Sequence, residues 1–235
     1  MNHGKVVIVE GIIGAGKSSF SSELSRILGN DTLYLPEPDE KNNANPYLSD
    51  FYRLPSRWAY TMQTHLLQAR YKMHLHAQWH AMTTGAIAVL DRSYFGDTAF
   101  ARLQLEMGDM SQAEFDTYQS IYHAMTANVL LPTICIHLEV EPHIAQQRIT
   151  RRMEDQTGRR CENVINLAYL TNLRREENAV VNVLSQQGVQ VLALDWNDDR
   201  ADPDLRSNVV SETAKLINEY VPKGDLFLNL HRRTT

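Results

Sequence analysis

Apolar residues fall into two patterns that alternate along the chain: short unbroken blocks and longer stretches with a helical period. Residues 5–9 form a strand-like block that runs straight into a glycine-rich turn, and residues 17–28 carry a helical period closed by Gly29-Asn30. A short second strand at 32–35 ends at Pro36. The helical stretch at 56–83 enters at Pro55 and stops before Gly85, and 86–91 is then an apolar run ending in Asp91, as suits a central strand buried on both faces. Helices are predicted at 94–105 and 112–128, the second opened by Ser111 and Glu114 in a capping-box pattern. A fourth strand at 133–138, helices at 142–153 and 163–187, a fifth strand at 189–194 and a closing helix at 204–220 complete the order. Strands alternating with helices predict a parallel sheet with right-handed crossovers, and ligands in such sheets sit at the carboxyl ends of the strands.

The first strand end carries chemistry. Gly11-Ile12-Ile13-Gly14-Ala15-Gly16-Lys17-Ser18 reads G-x-x-x-x-G-K-S between a strand and a helix. In that setting backbone N–H groups, a helix N-terminus and a lysine converge on one point, which suits a chain of phosphates. The segment predicts nucleoside triphosphate binding by Gly11, Gly14, Ala15, Gly16, Lys17, Ser18 and Ser19, with the Ser18 hydroxyl on Mg²⁺. The expected fold class is α/β, a three-layer P-loop NTPase with a five-stranded parallel sheet flanked by helices.

Composition narrows the setting. The chain has 235 residues and no linker-like or low-complexity run, so 1–220 reads as one domain and 221–235 as a tail. A net charge of −5 argues against a protein that coats nucleic acid or an anionic membrane. With Cys135 and Cys161 as its two cysteines, the chain supports neither a disulfide framework nor a zinc cluster. His76 and His80 lie four apart on the long helix but lack a carboxylate or cysteine partner for a metal. No stretch reaches the roughly 18 apolar residues of a membrane span, and the N-terminus enters a strand too early for a signal peptide. A soluble, cytoplasmic protein is expected.

The other strand ends add Glu37, then Asp91-Arg92-Ser93, then Asp195-Trp196-Asn197-Asp198. Singly, each reads equally well as loop polarity. Pro36 and Pro38 restrict the backbone on either side of Glu37. Gln63 offers an amide donor and acceptor side by side, and Arg70 lies two turns further along the same helix face. Arg148, Arg151, Arg152, Arg159 and Arg160 form a basic segment in an acidic chain, which a solvated helix end or an RNA-binding patch would also explain.

Together, Val9-Glu10-Gly-Ile-Ile-Gly-Ala-Gly-Lys-Ser-Ser, Pro36-Glu37-Pro38, the Y-x-x-P-x-R-W run at Tyr52–Trp58 and Asp91-Arg92-Ser93 resemble the deoxynucleoside kinases of the deoxycytidine/deoxyguanosine/deoxyadenosine kinase group. The resemblance runs in order from about residue 5 to about residue 218. It implies transfer of the γ-phosphoryl of ATP, with Mg²⁺, to the 5′-hydroxyl of a deoxyribonucleoside. Glu37 is then the base and Arg92 the cation beside the acceptor oxygen, while Asp91 stands on the metal side. Tyr52 holds the sugar 3′-oxygen, Gln63 reads the base edge, and Trp58 either walls the pocket or belongs to the core. Arg70 and Asp97 correspond to a buried pair that favours deoxyguanosine, deoxyadenosine or deoxycytidine over thymidine. Residues 148–162 correspond to a lid, with Arg148, Arg151 and Arg152 on the phosphates and Glu154 or Asp155 on the sugar 3′-hydroxyl. Asn197 and Asp198 correspond to the segment at the donor base. The family's usual homodimer forms through the long helix, where His65, Lys72 and Trp79 are candidates. Two rivals are a nucleoside monophosphate kinase, which needs a cation such as Arg53 or Arg57 for the acceptor phosphate, and a non-catalytic nucleotide switch.

Overall fold

β1 (Lys5–Glu10), β2 (Leu33–Leu35), β3 (Ile87–Asp91), β4 (Ile134–Glu139) and β5 (Gln190–Asp195) form one sheet in the order β2-β3-β1-β4-β5, with every pairing parallel. The computed structural model describes residues 4–38, 45–155, 162, 164–198 and 203–221. Within them the connecting helices are α1 (Lys17–Leu28), α2 (Leu48–Arg53), α3 (Pro55–Thr84), α4 (Tyr94–Met107), α5 (Gln112–Thr126), α6 (Pro142–Asp155), α7 (Leu167–Gln186) and α8 (Pro203–Glu219). No helix among the described residues is long and apolar enough to cross a membrane.

Side chains alternate across the sheet and feed two cores. Val6 and Ile8 of β1 pack with Leu67 of α3 and Tyr118 of α5, whereas Val7 and Val9 pack with Phe20 and Leu24 of α1 and Ile217 of α8. All six residues of β1 are therefore buried, which is why the strand reads as an unbroken apolar run. Lys5 ties this strand to the last helix, donating from Nζ to the carbonyls of Ile217 at 2.5 Å and Asn218 at 2.9 Å. Those carbonyls close α8, where a cation suits the helix dipole.

The predicted elements are present with ends moved by a few residues. The short helix α2 was not anticipated: six residues carry too little period to read, and Phe51 is the one residue of it that is buried. The helix expected from 163 starts at Leu167 instead, because the Asn166 side chain accepts from the Tyr169 N–H and caps it there. The Ser111–Glu114 capping box forms as predicted. Residues 156–161 and 163 of the expected lid, the side chain of Asp155 and the tail beyond 221 lie outside the described residues.

The register decides where chemistry collects. Val9 pairs with Asp91 and Glu10 with His137, so the ends of the three central strands lie level. The glycine loop after β1 and the Asp-Arg-Ser triplet after β3 are thereby neighbours.

Candidate active site

The loop between β1 and α1 wraps on glycines. Gly16 takes φ 89° at the start of α1, and Gly14 takes φ 83° with its Cα so near α6 that an added Cβ would stand 2.6 Å from the Ala145 carbonyl. Lys17 is buried and folds back on the loop, donating to the carbonyls of Gly11 and Ile12 at 2.9 Å each. Burial, then the Arg92 charge, pulls its pKa down to about 8, against the pull of Glu37, Glu177 and Asp91. Gly14, Gly16, Lys17, Ser18 and Ser19 line a cavity of about 480 Å³, while Gly11 and Ala15 support the loop from behind.

Glu37 stands across this cavity, one-third exposed. Its Oε1 accepts from Arg70 Nη2 at 2.7 Å and pairs with Arg92 Nε at 3.1 Å. Arg70 spans two carboxylates, since its Nη1 donates to Asp97 Oδ1, and both Arg70 and Asp97 are buried. Burial lowers the Arg70 pKa, and the Glu37 charge opposes that shift. Arg92 donates on its far side to Glu177 Oε1 at 3.1 Å and lies over the Phe100 ring at 4.8 Å. Burial acts to lower its pKa, but Glu37, Glu177 and Glu10 outweigh that and raise it.

Asp91 is fully buried at the cavity wall, and the Ser18 hydroxyl is the hydrogen-bonding group at its carboxylate. Burial and then the Glu37 charge push its pKa up, while Lys17 and the nearby Ser18 hydroxyl act to lower it. A buried carboxylate beside a serine hydroxyl at the phosphate-loop helix is the oxygen donor set a hard cation takes. Ser18 and Asp91 therefore fit Mg²⁺. Among the described residues there is no cluster of three or more His, Cys, Asp or Glu that would hold another metal.

One face of α3 lines the cavity on the Glu37 side. Met62, Gln63, Leu66 and Arg70 reach it, and the buried Gln63 Oε1 has no hydrogen-bond partner. Tyr52 lines it too. Trp58 does not: at 100° per residue it lies about 140° around the helix from Gln63, and it stacks on Tyr47 at 5.7 Å with the Arg57 guanidinium 4.6 Å over its ring. Of the two roles expected of Trp58, wall of the pocket or part of the core, the first is set aside: it packs against the core.

The arginine segment also needs correction. Arg148 and Arg152, one turn apart, line the cavity, whereas Arg151 is exposed and does not. Arg148 donates to the carbonyls of Trp196 at 2.8 Å and Asp198 at 3.0 Å, strapping the loop after β5 against the glycine loop. Asn197 and Asp198 do not line the cavity; the Asn197 side chain instead accepts from the Glu141 N–H at 2.7 Å. Glu154 is exposed and outside the cavity lining. The carboxylate of the 148–162 segment that lines it is Glu162, buried and bonded to Arg152 at 2.6 Å.

Glu162, Glu177 and Glu10 are the acidic residues that sequence reasoning missed. A usable signal existed for Glu177: Leu170, Leu173, Glu177, Val181 and Leu184 all fall on the buried face of α7, so a charge stands where the period asks for an apolar residue. Nothing local in the sequence marks Glu162.

The deoxynucleoside kinase family model matches residues 7–218. The chain belongs to the deoxynucleoside kinase family. It is accordingly an enzyme, one that phosphorylates a nucleoside using a nucleoside triphosphate. It is 35% identical over 197 residues to a deoxyguanosine kinase of Dictyostelium discoideum, a match spanning 84% of this chain and 66% of that protein. A deoxyadenosine kinase of the same organism is 27% identical over 93% of this chain and 84% of its own length. For the deoxyadenosine/deoxycytidine kinase of Bacillus subtilis the identity is 29%, covering 91% of this chain and 94% of the relative. The fold is also that of the deoxyadenosine kinase from M. mycoides solved with bound dATP, with a TM-score of 0.72 and 23% identity over 90% of this chain and 99% of that one.

Proposed function

We propose that this kinase transfers the γ-phosphoryl of ATP to the 5′-hydroxyl of deoxyguanosine, deoxyadenosine or deoxycytidine in preference to thymidine. The observation that carries this reading is Glu37 facing the glycine loop across the cavity with two arginines on one of its oxygens. Phosphoryl transfer asks the protein for alignment and charge more than for covalent work. Glu37 accepts the proton of the 5′-hydroxyl as that oxygen attacks phosphorus. Arg92 stands beside the acceptor oxygen and the migrating group, and Lys17 leaves the loop carbonyls for the phosphate oxygens. Mg²⁺ held by Ser18 and Asp91 would offset charge on the phosphates. Arg148 and Arg152 supply further guanidinium groups at the donor side, as planar forks that match phosphate oxygens.

The acceptor pocket supports a polar base edge. A buried ion pair gives little net stability, so the Arg70–Asp97 pair is better explained by recognition, and the orphan oxygen of Gln63 beside it awaits a donor from the base. Tyr52 and Glu162 take the sugar 3′-hydroxyl, Glu162 standing in for Glu154, which is outside the cavity lining. The names of the relatives, deoxyguanosine, deoxyadenosine and deoxyadenosine/deoxycytidine kinases, agree with this choice of bases. A monophosphate acceptor finds less support: Arg53 pairs with Asp50, Arg57 covers Trp58, and neither lines the cavity.

The sheet draws its strands from residues 5 to 195 and α8 packs back on α1, in keeping with a single catalytic domain. A homodimer through α3 is supported by Leu75, Trp79 and Met82, an apolar stripe at helical spacing that is 39%, 70% and 56% exposed. The deciding experiment offers radiolabelled ATP with the four deoxynucleosides and their monophosphates. Label is expected in the monophosphate of a purine deoxynucleoside or deoxycytidine. Label only in diphosphates would make the chain a monophosphate kinase, and label in none would leave it a nucleotide switch.

A further inference from the structure

Arg92 carries a backbone conformation that its neighbours must enforce. Its φ of 67° is left-handed, and among the described residues it is the one non-glycine with a positive φ. Such a geometry persists only where surrounding contacts offset its cost. The Arg92 N–H donates to the Val9 carbonyl at 3.1 Å. The Ser93 N–H donates to Glu10 Oε1 at 3.0 Å, and the Ser93 hydroxyl donates to the same oxygen. In turn Ser93 Oγ accepts from the Phe95 N–H at 3.2 Å, starting α4.

Glu10 holds this turn from a position that packing alone would give to an apolar residue. It ends β1 fully buried, its Oε2 has no hydrogen-bond partner, and Gly96 packs so close that a Cβ there would stand 2.6 Å from that oxygen. A buried carboxyl is costly unless it accepts bonds that matter, and the bonds it accepts here are those of Ser93. On the other side of Arg92, Glu177 is 2% exposed and accepts from Nη1 at 3.1 Å, while Nε faces Glu37. Neither Glu10 nor Glu177 lines the cavity.

We propose that Glu10 and Glu177 are positioning residues for phosphoryl transfer: Glu10 sets the Arg92 backbone through Ser93, and Glu177 sets its guanidinium, so that Arg92 is aimed at Glu37 and the acceptor oxygen before substrates arrive. The proposal rests on the reading that Arg92 acts in the transfer. Prearranged charge of this kind raises the rate without tightening ground-state binding.

The test is a set of double-mutant cycles with ATP and the deoxynucleoside most rapidly labelled. Glu10→Met and Glu177→Met, each alone and combined with Arg92→Met, are compared for kcat and KM, with Tm checked for each. Each single variant is expected to lose about 10- to 100-fold in kcat with both KM values changed less than about threefold. Glu10→Gln, whose amide oxygen still accepts both Ser93 bonds, is expected to recover to within about threefold of wild type. In the Arg92→Met background either glutamate change should cost less than about twofold more, because its target is gone. Equal losses with and without Arg92, or a wild-type kcat in Glu10→Met and Glu177→Met, overturn the proposal. Should Glu10→Met not fold, Ser93→Ala enters the same cycle in its place. A wild-type kcat in Arg92→Met alone removes Arg92 from the reaction, and the proposal falls with that reading.

Discussion

Glu37 and Glu10 are carboxylates with opposite surroundings, and they predict different experiments. Glu37 is one-third exposed and touches two arginines, so Glu37→Gln keeps an acceptor for them while losing the carboxylate proposed as the base. Its kcat is expected to fall by about 10²- to 10⁴-fold, with the Kd for nucleoside, measured by calorimetry, within about threefold of wild type. Glu10 is pushed from the usual 4.5 up to about 7, chiefly by burial, with Ser93 and Arg92 acting the other way. A folded pKa above the unfolded one means that the neutral form suits the fold. This contribution to stability is complete below pH 4.5 and is lost as the pH rises through about 7. Glu10→Gln keeps the neutral state at every pH, so denaturant titrations should find it more stable than wild type at pH 8, by at most about 3 kcal/mol, and close to wild type at pH 4.5. An equal difference at both pH values would mean that Glu10 does not titrate in this way.

Among the elements, helices whose local signals agree with their tertiary role were legible, and those whose role is set by a distant partner were not. The capping box of α5 is local: Ser111 accepts from the Glu114 N–H and Glu114 reaches back to the Ser111 N–H at 2.8 Å. Ser111→Ala is expected to cost about 1 kcal/mol of stability with kcat unchanged, since α5 does not line the cavity. α7 reads as an ordinary amphipathic helix with a charge run at Arg174–Glu177, yet Glu177 is buried because Arg92 comes to meet it from the end of β3. α3 lies between these cases: the spacing of Gln63 and Arg70 on one face was visible, while the turn of Trp58 toward Tyr47 depends on a residue beside the short, unpredicted α2. Arg70→Met is expected to destabilise the fold by about 3–5 kcal/mol, because Asp97 would be left buried without its cation. Adding Asp97→Asn should return part of that loss, as a shared pair couples non-additively.

For the whole molecule, the sheet order puts the glycine loop, Asp91 and Glu37 at one edge, and the long α3 carries a cavity-lining face on one side and an exposed apolar stripe on another. If that stripe joins two copies, Trp79→Glu should yield a monomer by analytical ultracentrifugation under conditions where the wild-type protein is a dimer. A wild-type monomer at micromolar concentration would remove the dimer from the account.

Periodicity, glycine spacing and proline placement are properties of neighbours in sequence, so the chain alone determined the order of elements, the parallel sheet, the phosphate loop and the placing of Glu37, Asp91 and Arg92 at strand ends. The choice among residues of one segment was another matter. That Glu162 rather than Glu154 lines the cavity beside Arg152, that Glu10 meets Ser93 and that Glu177 meets Arg92 are facts about contacts between residues 10 to 85 positions apart. A buried carboxylate is tolerable only beside its partner, and only the packed sheet and helices decide which partners meet.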